Sequence, residues 1–171
     1  MEIMMIDRWL HIIAGVLWIG LLYYFNFVQA PAQAAAIADK DGPGPAAIGK
    51  YIAPRALLWF RWAALATWLT GAYYLEAAPQ YSLVGAFSLG IGAHNMALSS
   101  IGMGAWLGTI MLFNVWGLIW PNQKKILGIV EATDEEKGKA KRIAFLASRS
   151  NTLMSIPVLL FMQAGGHGMP F

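Results

Sequence analysis

Between Ala77 and Trp120 the chain carries no Asp, Glu, Lys or Arg. At 1.5 Å per residue this stretch is too long for one straight crossing of a hydrocarbon core ~30 Å thick. It reads either as two short spans with a turn near Ser99–Gly104, or as one span preceded by an apolar loop lying in the membrane interface. Elsewhere, three further segments reach the ~20 apolar residues that a crossing needs. They run over about 8–28, 54–75 and 143–164, and Pro54 suits a helix start. The uncharged stretch supplies another over about 98–120, ending just before Pro121.

Loop charge chooses between the two topologies. The loop after the first segment carries Lys40 and Lys50, with Arg55 just inside the next helix. The loop after Trp120 carries Lys124, Lys125, Lys137, Lys139, Lys141 and Arg142. Four spans place both basic loops on one side, whereas five would separate them. The positive-inside rule therefore favours four. The expected fold is all-α: a single-domain integral membrane bundle of four transmembrane helices over residues 1–171, N-out and C-out. The expected setting is a bacterial inner membrane, crossed several times. The first segment is too long for a signal-peptide core and follows Glu2 and Asp7, so it reads as a retained span. The run from Glu131 to Arg142 reads as a solvated cytoplasmic helix or loop, and Gly42–Pro45 as a loop breaker.

Composition limits the chemistry. Charged residues make up 12% of the chain and hydrophobic ones 58%, far from the charge of a soluble domain. The basic residues sit in short loops between apolar spans, so the positive net charge points to membrane topology and not to nucleic acid. There is no cysteine, which rules out an iron–sulfur cluster and covalent attachment of a c-type haem. Any haem would be held by coordination alone.

Of the three histidines, His11 lies a turn inside the first helix, His94 at the start of the third span and His167 just past the fourth. In the four-span topology all three fall at the extracytoplasmic face. Histidines on neighbouring helices at matched depth are what axial ligation of haem b requires. Gly15, one turn after His11 on the same face, would leave room for the macrocycle. The competing readings are a histidine that bridges two helices by a hydrogen bond and, for His167, a solvated tail residue. Arg61 and Arg149 each lie six residues past a cytoplasmic helix start, ~9 Å deep. Facing inward, they would mark an anion site for a haem propionate, a quinone carbonyl or a substrate; facing outward, they would snorkel to the headgroups. Asn26, Asn114 and Asn151 read as polar residues that hold helices together.

The first helix, RWLHIIAGVLWIGLLYYFNF (Arg8–Phe27), resembles the start of the membrane domain of PuuD-type urate oxidases (urate hydroxylases). The tract GMGAWLGTIMLFNVWGLIWPNQKK (Gly102–Lys125) and RSNTLMSIPVLLFM (Arg149–Met162) resemble later parts of that domain. The resemblance implies a membrane redox protein and makes His11, Trp18, Asn114 and Asn151 its motif positions. Those proteins have a longer membrane domain and a fused C-terminal cytochrome c. With Phe171 last and no cysteine, the expectation here is a separate acceptor, a periplasmic cytochrome c or a membrane redox complex. The first helix also resembles that of haem-containing membrane protoporphyrinogen oxidases, four-helix proteins that bind haem b. The expectation is thus a protein that binds haem b through His11 and His94 and passes electrons from a quinol or urate-like reductant to a periplasmic acceptor. A urate oxidase-like enzyme is one alternative. Another is a cofactor-free accessory subunit of a respiratory or photosynthetic complex. Its partners would be the lipid bilayer, that acceptor, a quinone and further copies of the chain.

Overall fold

The computed structural model describes residues 2–91 and 96–167, the last three of these by backbone alone. Four long helices dominate: α1 (Glu2–Ala38), α2 (Ala53–Ala77), α4 (Met96–Ile126) and α5 (Asp134–His167), with a short α3 (Leu83–Phe87) between α2 and α4. No strand occurs among the described residues. Three of the helices, Glu2–Ala38, Met96–Ile126 and Asp134–Ala164, are long and apolar enough to cross a membrane. The fourth long helix, α2, has the length but is more polar, because Arg61 and three tryptophans interrupt its aliphatic run.

Side-chain pairs give the directions. His11 near the start of α1 meets Thr67 in the second half of α2, and Phe25 later in α1 stacks edge-on against Phe60 earlier in α2. Asn26 reaches Ser148 and Tyr23 reaches Ser155 on α5. On α4, Thr109 accepts from Trp68 of α2, and Trp116, further along, donates to Arg61, earlier in α2. Asn114 reaches Asn151, while Gly104 lies against Phe161 and Met162. Each of these pairs runs antiparallel, so α1, α2, α4 and α5 form a closed up-down-up-down ring.

The core lies on the ring's axis. Trp18 and Leu22 of α1, Phe60 and Ala64 of α2, Met111 and Val115 of α4 and Ala147 of α5 form one buried cluster. Small residues let the backbones approach at the contacts, as in membrane bundles generally: Ala63 and Ala64 on α2, Gly102 and Gly104 on α4, Ala140, Ala144 and Ala147 on α5 are all buried. Large apolar side chains face outward instead. Val16 is 69% exposed, Trp59 61% and Leu153 72%. Apolar outside with Asn151 and Ser155 fully buried inside inverts the arrangement of a soluble protein and suits a hydrocarbon solvent.

The uncharged stretch resolves into a loop, a short helix and a long helix. Ser82 caps α3 by accepting from the Gly85 N–H at 2.8 Å. Trp106 Nε1 then donates to the Phe87 carbonyl at 2.9 Å, and Gly102 lies directly under the Ala86 carbonyl. Val84 and Ile91 are about four-fifths exposed, at 79% and 83%. The segment is an apolar strap folded across one end of α4. At the other end of the molecule, Thr133 and Glu136 open α5 with a reciprocal capping box. The backbone N–H of Thr133, and then Lys125, hold the Glu136 carboxyl below its usual range. The charged first turns of α5 lie ahead of its apolar run.

Candidate functional site

Two polar layers cross the bundle interior. The first is built around His11. α1 presents Asp7, His11, Gly15, Trp18 and Leu22 at helical spacing, so one stripe carries all five toward α2. His11 Nδ1 lies 2.9 Å from the Thr67 carbonyl oxygen and 3.2 Å from Thr70 Oγ1. A carbonyl only accepts, so Nδ1 carries the hydrogen and neutral His11 keeps its lone pair on Nε2. The Thr70 hydroxyl donates back along its own helix to Ala66, which leaves its oxygen free to share that N–H. Thr67 likewise donates to Ala63.

Gly71 makes the seam possible. A Cβ there would lie 2.9 Å from His11 Cε1 and 3.2 Å from Nδ1, so the imidazole edge rests against α2 backbone. Gly15, expected to make space for a macrocycle, instead faces the Thr67 methyl at 3.8 Å from where its Cβ would be. Asp7 is buried and its Oδ2 meets no partner among the described residues. Asp7 precedes the apolar run of the first span, but α1 begins earlier, at Glu2, and carries it inward. His94 lies outside the described residues. The backbone at His167 closes α5 at the end where α1 begins, and its side chain is outside the described set.

The second layer lies nearer the opposite end. Asn26 Nδ2 donates to the Leu22 carbonyl at 2.9 Å and to Ser148 Oγ at 2.7 Å. Asn114 Nδ2 donates to Asn151 Oδ1 at 2.8 Å, and Asn151 Nδ2 donates to the Met111 carbonyl at 3.0 Å. Tyr23 and Ser155 share a hydrogen bond of 2.9 Å. Asn26 and Asn114 each sit in a π-helical stretch, Tyr24–Gln29 and Asn114–Ile119. Such stretches widen a helix by one residue and gather at functional positions. Both flank the same segment of α5, where Ser148 and Asn151 supply the partners. Between the two layers, Trp18 is 3% exposed and its Nε1 finds no acceptor among the described residues. A donor is thus aimed into the core with its bond unmade.

The arginines part company. Arg149 is exposed, its guanidinium 5.0 Å from the Phe145 ring on the same helix, and points away from the interior. Arg61 is half-buried, 3.8 Å over the Trp120 ring. The two stack on different helices and do not form one anion site. Among the described residues no cluster of His, Asp and Glu is arranged to hold a metal ion by itself. Gly71, Thr67 and Asp7 are the site residues that sequence reasoning missed. Gly71 shows no signal in the sequence, since a glycine in an apolar helical run is ordinary; Asp7 did have one, at four residues before His11.

Comparison with known proteins bears on one half of this geometry. The family model described as urate oxidase N-terminal matches residues 93–171, just under half of the chain. No curated protein and no solved structure matches. The matched segment holds Asn114, Ser148, Asn151 and Ser155, and contains the Gly102–Lys125 and Arg149–Met162 tracts. The His11 layer precedes it, as does the first-helix likeness to protoporphyrinogen oxidases, which no comparison shows. Over its second half, then, this all-helical chain is similar to the N-terminal domain of urate oxidases.

Proposed function

We infer that this chain is a urate-oxidase-related membrane redox protein. The observation that carries the reading is the match of the urate oxidase N-terminal model to residues 93–171. It falls on the half of the bundle holding the Asn114–Asn151 pair. We further propose that His11 is an axial ligand of haem b. Its support is the hydrogen bond to Thr67, which reserves the Nε2 lone pair for an iron and orients the ring, the usual arrangement of a ligating imidazole. His94, which lies outside the described residues, is the proposed second ligand. A haem held there would supply one-electron exchange between a quinol or urate-like reductant and a periplasmic acceptor. Four spans, N-out and C-out, complete the proposal. The antiparallel ring and the 25 residues of α2, about 37 Å of helix, support the fourth crossing.

One observation favours a second reading, a cofactor-free accessory subunit. The His11 ring edge is packed on Gly71 and its Nδ1 bridges α1 to α2, which is sufficient employment for a membrane histidine. A reduced-minus-oxidised visible spectrum of the detergent-purified protein, with pyridine haemochrome quantitation, separates the two. A b-type signal at one or two haems per chain, lost in His11→Ala, is the expected result. Well-folded protein that stays featureless after haem is added back would leave the accessory subunit. Oxidation of urate with an added acceptor would assign the enzyme reading directly.

A further inference from the structure

The outer seam between α2 and α4 has a shape that the redox reading does not use. The two helices are stitched by Trp68 Nε1 donating to Thr109 Oγ1 at 2.8 Å, and by Trp116 Nε1 donating to the Arg61 carbonyl at 3.2 Å. Alongside these stitches runs an open groove of about 400 Å3 whose walls include Leu65, Leu69, Leu112 and Phe113. Both indole N–H groups are already satisfied within the wall, so the groove offers an occupant hydrocarbon contact and nothing polar.

A cation lies one helical turn beyond the groove. Arg61 precedes Leu65 by one turn on the same face of α2, and Trp120 follows Trp116 by one turn on α4. The guanidinium lies over Trp120, 3.8 Å from its centroid. Among the described residues it has no carboxylate within ion-pair distance. Basic residues follow further outward: Arg55 and Lys50 beside the start of α2 and Lys124 at the end of α4, where Lys125 is paired with Glu136. Apolar slot, stacked guanidinium and basic rim follow one another along the bundle axis, as acyl chain, phosphate and headgroup follow one another in a lipid.

We propose that the α2/α4 groove is a binding site for an anionic phospholipid, with one acyl chain along Leu65–Leu69 and the phosphate on Arg61. The stacked, half-buried guanidinium distinguishes this site from the lipid annulus, because planar bidentate recognition of a phosphate is what arginine supplies. The site stands whether or not the chain binds haem.

Native mass spectrometry of the full-length protein, titrated with phosphatidylglycerol or with phosphatidylcholine of the same chains, tests it. The wild type is expected to retain phosphatidylglycerol about tenfold more tightly, a preference that Arg61→Gln abolishes and Arg61→Lys reduces in part. Trp120→Leu, which keeps the charge but removes the platform, should weaken the preference several-fold and guards against a folding defect in the arginine variants. Equal retention of the two lipids by the wild type overturns the proposal. So does a preference that survives both Arg61→Gln and Trp120→Leu, and so does Arg61-dependent retention of a co-purified quinone in place of phospholipid.

Discussion

The hydrogen bond from His11 Nδ1 to the Thr67 carbonyl decides which imidazole nitrogen keeps a lone pair, and Gly71 decides whether that bond forms. A methyl at position 71 would have to push the ring away, since Thr67 and Thr70 pin it from the same side. Two effects compete in Gly71→Ala. Alanine improves helix propensity by up to ~1 kcal/mol, while overpacking a fixed neighbour costs about 1–3 kcal/mol and the displaced hydrogen bond about 1 more. The cost wins, so Gly71→Ala is expected to lower stability by roughly 1–2 kcal/mol. Gly20, on the same hairpin, has open space where its Cβ would go, so Gly20→Ala is expected to be neutral or slightly stabilising. Thermal unfolding of both variants in one detergent checks the pair. Equal midpoints would show that the ring is not pinned.

Among the elements, α3 and its flanking turns depend on a backbone contact more than on their own propensity. A helix as short as Leu83–Phe87 is unstable alone. It is held by its Ser82 cap, by Trp106 reaching Phe87, and by Gly102 admitting the Ala86 carbonyl. Leu89 adopts φ +56° on the way out, a conformation that a non-glycine residue holds only when its surroundings insist. Gly102→Ala drives a Cβ into a carbonyl that cannot move without the whole segment. The expected outcome is release of the 78–91 segment, at a cost of about 1–3 kcal/mol, with the four-helix ring intact. Hydrogen exchange should rise across 78–91 and stay unchanged in α1. Exchange that stays slow in 78–91 would show that Trp106 and Ser82 suffice.

For the whole molecule, the ring topology puts the 39–52 and 127–133 connections at one end and the start of α1 at the other. In the proposed orientation the basic end faces the cytoplasm, as the positive-inside rule expects. A reporter inserted after Asp41 is expected to read cytoplasmic, and one fused after Phe171 periplasmic. Two readings on the same side would remove α2 as a crossing and leave the three helices whose composition already suffices.

Much of this was legible in the chain itself. The segments 8–28, 54–75, 98–120 and 143–164 are each helical, and all but 54–75 lie in helices long and apolar enough to cross a membrane, because hydrocarbon-length apolar runs must satisfy their backbone internally and a helix does so with local bonds alone. His11, Asn114 and Asn151 stood out for the same reason: a polar side chain in such a run needs a partner. The partners were not legible. That Nδ1 meets Thr67 depends on α1 and α2 being antiparallel neighbours in one register. That the uncharged 77–120 stretch breaks at α3 depends on Gly102 meeting Ala86, and that Asp7 is buried depends on what lies across the seam. Apolar length and loop charge are properties of one segment and determine which segments are helical in a membrane. Which face of each helix carries a site is set by contacts between segments far apart in the chain, and only the tertiary structure decides those.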